Sequence, residues 1–225
     1  MDDTQDIIDF AEELLDEEIG SDLALSLSEN AKNIIEGARN WQMLIKEDSS
    51  QTFGSGEDYL TSKDLPDDFF MDDEIYLGVE TDDDYVPLDP VPFKQRRRYS
   101  ESGKYSIDYA NKKIYICDKV AKTYTIYLYY IYETPELALD TAPVWPKKYW
   151  RLISFLMAEF YKTGIDYDDI NVNTALAHNK QALLLWSDMI SWDNKLANKA
   201  IGGRAGFRGD KGGAVTDKVD LSQFR

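Results

Sequence analysis

"KTYTIYLYYIY", residues 122–132, is the most apolar run of the chain and decides which fold can be expected. In an extended strand, both of its faces would be apolar or aromatic: one carries Tyr124, Ile126, Leu128 and Tyr130, and the other Tyr127, Tyr129 and Ile131. A strand with one face in water alternates more cleanly. The run therefore predicts a strand that is central in its sheet, or one whose second face is covered by a helix or a partner.

Further strand signals precede this run, since the apolar period is two from residue 75 onward. "IYLGV" at 75–79 predicts a short strand, and "KYSIDYANKKIYIC" predicts a hairpin with strands at 104–109 and 114–117. The stretch 48–66 is polar and rich in Gly and Ser. It predicts a loop with short extended pieces around Phe53 and Tyr59.

Helical periodicity brackets the strands and predicts helices at about 4–18, 29–46, 146–163 and 169–199. Ser28 is the expected cap of the second helix. After Gly202 the chain is rich in glycine and has no apolar periodicity, which is typical of an arm.

The order of helices, strands and helices predicts an α+β fold: an antiparallel α-helical bundle with an inserted small antiparallel β-sheet domain and an extended C-terminal arm. The predicted divisions are N-terminal helices of the bundle at 1–50, the inserted β domain at 51–140, C-terminal helices of the bundle at 141–201 and the arm at 202–225.

Composition restricts the class of protein. The 225 residues carry 25 Lys and Arg against 42 Asp and Glu, a formal net charge of -17, and 43% are hydrophobic. General disorder is therefore not expected, and neither is a protein whose main task is to grip nucleic acid by its phosphates. The single cysteine, Cys117, allows no intrachain disulfide. The acidic N-terminus does not resemble a secretory signal, and the most apolar run is too short to cross a bilayer as a helix. We expect a soluble product of a cytoplasm, without a membrane partner.

Motifs for chemistry are mostly missing from the sequence. The only histidine, His178, falls inside a predicted helix, and no nucleophile elbow or phosphate loop accompanies it. "DYDDIN", starting at Asp166, has Asn171 and Ala177 where a calcium loop needs Gly and Glu. We therefore predict no catalytic residues, no metal ligands and no cofactor. A hydrolase using a pair of carboxylates stays open, because so many acidic residues always supply pairs.

Several motifs occur in the order of a known family: "DIIDFAEELLDEE" at 6–18, "NAKNIIEGARNWQMLI" at 30–45, "EDYLTSKDLPDDFF" at 57–70, "YSIDYANKKIYI" at 105–116, "YTIYLYYIYETPELALD" at 124–140 and "VWPKKYWRLISFLMAEFYKTGIDYDD" at 144–169. Together they resemble the head-to-tail adaptor family of tailed bacteriophages, which includes the podovirus tail tubular protein A. The resemblance covers about residues 4–200. The glycine-rich tail and "FKQRRRY" at 93–99 depart from it.

The resemblance implies a structural virion protein of the neck or tail, made in the host cytoplasm, with no active site. Members assemble as a ring under the portal protein, usually with twelve subunits, and contact further neck or tail proteins. Genomic DNA would pass through the lumen without specific binding, which an acidic wall favours by repelling phosphate. Two other classes stay open: an acidic cytosolic interaction module that binds a basic partner, and a metal-dependent hydrolase.

Three groups of residues are the candidate partner-binding sites. The first is the arginine run, which could pair with carboxylates of a neighbour, form a solvated turn or touch DNA: Arg96, Arg97 and Arg98. The second comprises Tyr127 and Tyr129 on one face of the long strand. The third consists of the apolar anchors of the arm: Phe207, Val215, Val219, Leu221 and Phe224.

Overall fold

A computed structural model of the chain describes residues 1–79, 82–99, 103–117, 119–120, 122–164, 172, 176 and 179–203. Within these ranges the chain forms a layer of helices and two β-sheets. Three features predicted from the sequence lie outside the described residues: His178, the "DYDDIN" motif at 166–171 and the five anchors of the predicted arm.

The helices of the described ranges are α1 (Thr4–Leu15), α2 (Ser21–Gly37), α3 (Arg151–Thr163) and α4 (Lys180–Gly203), with 3-10 turns at Gln42–Leu44, Phe93–Arg98 and Lys147–Tyr149. Asp3 caps α1 by accepting a hydrogen bond from the Asp6 N–H, and α1 ends at Asp16 in a left-handed conformation with φ of 56°. Both α1 and α2 pack against α3 through apolar side chains, so α3 lies at the centre of the helical core.

The strands are β1 (Ile45–Asp48), β2 (Thr52–Phe53), β3 (Ser62–Asp64), β4 (Phe69–Val79), β5 (Asp82–Pro87), β6 (Asp89–Pro90), β7 (Lys104–Asp108), β8 (Lys113–Ile116) and β9 (Tyr124–Tyr132). Sheet A has the order β1–β9–β4–β5, with β2 also paired to β9, and sheet B has the order β3–β8–β7–β6. The pairs are antiparallel except β6 with β7.

Strand β9 is central in sheet A, as its sequence predicts, because it pairs with β1 and β2 on one side and with β4 on the other. Its buried side chains Ile126, Leu128 and Tyr130 lie in a core shared with sheet B. At its carboxyl end, Ile131 belongs to the helical core instead. The helices therefore pack against only one end of the strand.

The predicted antiparallel α-helical bundle with a small inserted β-sheet domain is wrong. The chain is a mixed helix-and-sheet protein, whose described strands form a five-stranded and a four-stranded sheet. The expected helix at 29–46 caused part of the error, since Gly37 ends α2 and Ile45 begins a strand paired with Ile131. The alternation of buried and exposed side chains along β4 is also obscured in the sequence, because the register of β4 against β9 shifts between Phe69 and Met71 and again between Asp72 and Glu74.

Ser28 is another correction, because it lies inside α2 rather than at its start. It is fully buried, and its hydroxyl donates to the Leu25 carbonyl oxygen at 2.8 Å, while α2 begins at Ser21. A serine can satisfy its hydroxyl within a helix in this way, so its presence alone does not mark a boundary. The first helix, the hairpin of β7 and β8 and the helix at α3 are confirmed to within a few residues at each end. The four domain divisions remain a prediction.

Candidate functional site: charged surfaces and a tyrosine face

The arginine run forms a 3-10 turn, and its first arginine differs from the other two. The Arg96 guanidinium lies 4.1 Å from the ring centre of Phe93 and 4.6 Å from that of Tyr115 on β8. It also donates to the Phe93 carbonyl oxygen at 3.2 Å. A guanidinium stacked on two rings gains cation–π attraction and gives up most of its freedom. Arg96 is therefore a packing residue that fixes the turn on sheet B.

The exposed cations that this turn carries are Lys94, Arg97 and Arg98, which we call the basic patch. None of the three forms an ion pair or a side-chain hydrogen bond with the residues that the structure describes. Because Arg96 anchors the same turn, the patch is held on a structured element rather than on a long loop. Its three cations are therefore held in place without an anionic partner among the described residues.

The stretch of sequence that contains the patch is also basic. Residues 91–122 contain nine Lys and Arg against three Asp and Glu, so this segment carries a formal charge of +6 in a chain of -17. Arg96 and Lys104 both act on the nearby thiol of Cys117. Burial nevertheless raises the pKa of the Cys117 thiol, and these two cations only oppose that shift. The thiol is 2% exposed, and a buried protonated thiol is a poor nucleophile.

The N-terminal segment, which forms α1, α2 and β1, has the opposite charge, and so does the segment 51–90 of the sheets, with 13 Asp and Glu against one Lys. Residues 1–50 contain 14 Asp and Glu against three Lys and Arg, a formal charge of -11. Where the chain turns from α1 into α2, five exposed carboxylates form what we call the acidic corner: Glu13, Asp16, Glu17, Glu18 and Asp22. The last turn of α1 holds no basic residue, although the helix dipole favours cations there. The corner therefore joins like charges to the negative end of a helix.

Partners for the acidic corner are few among the described residues. Glu17 accepts a hydrogen bond from the Tyr161 hydroxyl at 3.0 Å, and that contact with a carboxylate raises the pKa of the Tyr161 phenol. None of the corner's carboxylates forms an ion pair within the described ranges. Leu23, 48% exposed, lies beside Asp22 on α2. The corner thus offers negative charge next to an exposed apolar side chain.

An aromatic surface lies on sheet A, on the side of β9 that faces away from sheet B. It consists of Tyr76, Tyr127 and Tyr129, which we call the tyrosine face. All three are half-buried, and the rings of Tyr76 and Tyr129 meet edge to face with centres 6.1 Å apart. The Tyr76 hydroxyl donates to Glu74 at 2.6 Å. Each tyrosine is engaged within the subunit yet keeps part of its ring accessible.

Sequence reasoning found Tyr127 and Tyr129 but missed Tyr76. Tyr76 stands directly opposite Tyr127 in the antiparallel register, so it joins the same face. The sequence "IYLGV" does indicate that Tyr76 lies on the opposite face of the strand from Ile75. Only the pairing of β4 with β9 brings the three rings together, and single-strand periodicity does not give that register.

Phenol hydroxyls donate to carboxylates at the end of the sheets near the helices, and one of these carboxylates, Asp72, links the two sheets. The hydroxyls of Tyr105 and Tyr109 both donate to the Asp72 carboxylate, and the Tyr130 hydroxyl donates to Asp68 at 2.8 Å. Burial, followed by the hydrogen bond to the carboxylate, raises the pKa of each of these three phenols. The phenols therefore stay protonated and serve as donors, which gives them a structural role.

Ligands for a metal are not assembled in the described part of the chain, where no group of three or more His, Cys, Asp or Glu side chains could hold an ion. Among the same residues, no helix combines the length and the apolar composition needed to span a membrane. The "DYDDIN" motif and His178 lie outside this part, so neither candidate is tested.

Comparison with known proteins adds no relative: no protein-family model matches the chain, and no curated protein matches it. The functional conclusion therefore depends on the surfaces just described and on the family resemblance of the sequence.

Proposed function

We propose that this protein is a structural subunit of a bacteriophage virion: a head-to-tail adaptor that assembles as a ring under the portal protein and joins the capsid to the tail. The ring would have about twelve copies, would extend the DNA channel and would contact further neck or tail proteins. No catalysis and no cofactor belong to this role. The proposal takes its class from the sequence resemblance, and the structure supplies the observation that supports assembly.

That observation is the separation of charge between two surfaces of one subunit. The segments 1–50 and 51–90 carry -11 and -12, whereas the segment at 91–122 carries +6. Two unlike surfaces that attract each other favour head-to-tail contacts between identical subunits, and such contacts close into rings when the rotation permits. Electrostatic complementarity also directs which surfaces meet. A subunit of this kind is suited to a closed assembly.

The overall charge also suits a channel for DNA. Once the basic surface is covered by a neighbour, the excess of 42 acidic over 25 basic residues would dominate what remains exposed. A lumen with that sign repels phosphate, so a genome can slide through it without sticking. We therefore expect the assembled ring to bind duplex DNA weakly.

The test is to mix the purified protein with portal rings of the same virus and to image the mixture by negative-stain electron microscopy. We expect an additional ring of density on one end of the portal, with the portal's own symmetry. The same sample at high salt should lose the added ring, because the contact between copies is electrostatic. Portals that stay bare, with the protein monomeric beside them, would contradict the proposal.

A second candidate, the acidic protein-interaction module, is favoured by the tyrosine face. Half-exposed tyrosines are enriched where proteins meet, and Tyr76, Tyr127 and Tyr129 form such a surface without any need for a ring. The same images distinguish the two functions. A module would bind a partner in a fixed small ratio and would not build a closed ring on the portal.

A further inference from the structure

We propose that the basic patch binds the acidic corner of a second copy of this chain, so that arginine–carboxylate pairs join neighbouring subunits. This inference rests on the proposed function and deepens it, because it names the two surfaces that meet. It makes the arginine run an interface element rather than a solvated turn or a DNA contact.

The first argument is that the patch is prepared for binding. Arg96 is stacked between Phe93 and Tyr115, at 4.1 and 4.6 Å from their ring centres, so the turn that carries Arg97 and Arg98 is already fixed on sheet B. Less conformational freedom is lost when a fixed turn binds than when a loose one does. The guanidinium fork can also hold a carboxylate through two parallel hydrogen bonds.

The lysines on the strands of the two sheets, by contrast, have carboxylate partners within their own subunit. The pairs are Lys46 with Asp68 at 2.6 Å, Lys63 with Glu57 at 2.9 Å, Lys104 with Asp89 at 3.2 Å and Lys113 with Asp64 at 2.7 Å. In the described ranges, Lys94, Arg97 and Arg98 have no such partner. Their charge is not compensated by any described residue of the subunit.

The second argument is that the acidic corner cannot meet this need inside the subunit. Among the described residues, no ion pair joins the corner to the patch or to any other cation. The patch lies on sheet B, while the corner lies at the junction of α1 and α2 in the helical layer. A contact between them must therefore link two copies, and because the two surfaces differ it is head to tail.

A second copy is a better occupant than DNA. A duplex that contacted the patch would also approach a subunit with a formal charge of -17, and that field repels phosphate. When the acidic corner of another copy binds the patch, the cations of the patch instead neutralise the excess negative charge of that corner. The contact would relieve the repulsion between Glu13, Glu18 and their neighbours at the end of α1, where the helix dipole already disfavours them.

The test is a charge swap. One variant reverses the patch with Arg97→Glu and Arg98→Glu, and a second reverses the corner with Glu13→Lys and Glu18→Lys. These four side chains are exposed and form no hydrogen bond with the described part of the core, so the fold should survive. Asp16 is left unchanged because its left-handed backbone favours Asp over Lys. A third variant carries all four changes.

Sedimentation of the intact proteins at low salt measures self-association. We expect each reversal alone to weaken self-association about tenfold or more. The variant with all four substitutions should recover most of the loss, because Glu at the patch would then face Lys at the corner. Matched controls reverse exposed charges elsewhere: Lys180→Glu with Lys195→Glu, and Glu136→Lys with Asp140→Lys. These controls should associate as the parent does.

Three results would overturn the inference: reversals that associate as well as the parent, single reversals that weaken association without recovery in the four-fold variant, or a parent that forms no contact either in solution or on the portal. Binding of duplex DNA that is lost on reversing the patch, with self-association unchanged, would favour the DNA contact instead. Circular dichroism melting of each variant confirms that it is folded before association is compared.

Failure of this contact and failure of the proposed function are distinguishable with portal rings. If the reversals still complete a ring on the portal, the adaptor function stands and the contact is wrong. If the swap pattern holds in solution but the parent does not dock on the portal, the contact stands and the adaptor function is wrong.

Discussion

The helical layer and the sheets bury charge in different ways. The helical layer encloses ionisable groups completely: Lys32 is 1% exposed, and Asp193 on α4 is 0% exposed. In the sheets the ion pairs lie at the surface, and the buried polar links are phenol hydroxyls such as that of Tyr105. A buried ion needs every partner in place, whereas a neutral phenol needs only one acceptor. The helical layer should therefore depend more strongly on its polar contacts and on pH.

The largest expected effect is at Lys32. Its ammonium donates to Glu29 at 2.8 Å and to the Pro135 carbonyl oxygen at 2.7 Å, which ties the segment after β9 to α2. Lys32→Ala would leave both acceptors without this donor, and removing one member of a buried pair typically costs about 3–5 kcal/mol. We expect a loss of that order in the free energy of unfolding, measured by urea titration.

Lys46→Ala is the matched control for that prediction. Lys46 also pairs with a carboxylate, Asp68 at 2.6 Å, but 46% of its side chain is exposed. A pair of this kind contributes about 0–1 kcal/mol, because water replaces the lost partner. If the two substitutions destabilise the protein equally, the contrast between the layers is wrong.

The sheets supply the next effect. Tyr105→Phe removes a buried hydroxyl that donates to Asp72, while Asp72 keeps the Tyr109 hydroxyl as a second donor. We expect a loss of about 1–2 kcal/mol in unfolding free energy, since a hydrogen bond to a charged acceptor is among the stronger ones. Tyr109 is 55% exposed, so Tyr109→Phe should cost less than Tyr105→Phe. An inverted order in the same urea titration would show that Asp72 depends mainly on Tyr109.

The sequence predicts some of these features and cannot predict others, for physical reasons. The two apolar faces of β9 are visible in the sequence, because alternation is a local property of a strand. The start of β1 at Ile45 is not, since "IKED" becomes a strand only by pairing with residues 128–131. Tertiary contacts, rather than the local conformational propensity of these four residues, thus decide their structure.

The candidate site shows the same division. The arginine run is conspicuous in an acidic chain, but the sequence does not separate Arg96 from Arg97, because Tyr115 is brought to Arg96 only by sheet B. The acidic corner had a sequence signal that was not used: the end of α1 contains carboxylates and no basic residue. The end of a helix normally favours the opposite sign, so this departure points to a surface with another purpose.

A pH experiment would sharpen the comparison at Asp193. Burial raises the pKa of this carboxyl, and the Met43 N–H at 3.3 Å and Arg39 at 3.6 Å only partly oppose the shift. A carboxyl with a raised pKa in the folded state binds its proton more tightly there than in the unfolded chain. Its charged form therefore costs stability near neutral pH, and protonation removes that cost as the pH falls through the raised value toward the ordinary one, 3.8.

Asp193→Asn is the variant that isolates this effect, because Asn can still accept from the Met43 N–H. We expect the unfolding free energy of the parent to rise relative to that of the variant as the pH is lowered from 7 toward 4. A difference that stays constant over that range, in denaturant titrations at each pH, would show that Arg39 fully compensates the buried charge. Asp188→Asn gives the contrast on the same helix: hydrogen bonds from Lys148 and Tyr149 lower the pKa of this exposed carboxyl, so the parent should lose stability relative to that variant as the pH falls.

The smallest effect on stability, and the one that bears most directly on function, concerns the arginines. Arg96→Gln should destabilise the protein by about 1 kcal/mol, because it removes the cation stacked on Phe93 and Tyr115. Arg97→Gln together with Arg98→Gln should leave the free energy of unfolding unchanged, since both side chains are exposed and unpaired among the described residues.

Assembly should show a different pattern from stability at these arginines. Arg97→Gln with Arg98→Gln weakens self-association directly, and the parent should lose association with added salt more steeply than this variant does. Arg96→Gln weakens association only as far as it loosens the turn. If the Arg97 and Arg98 variant associates like the parent at every salt concentration, the run serves only to cover sheet B through Arg96.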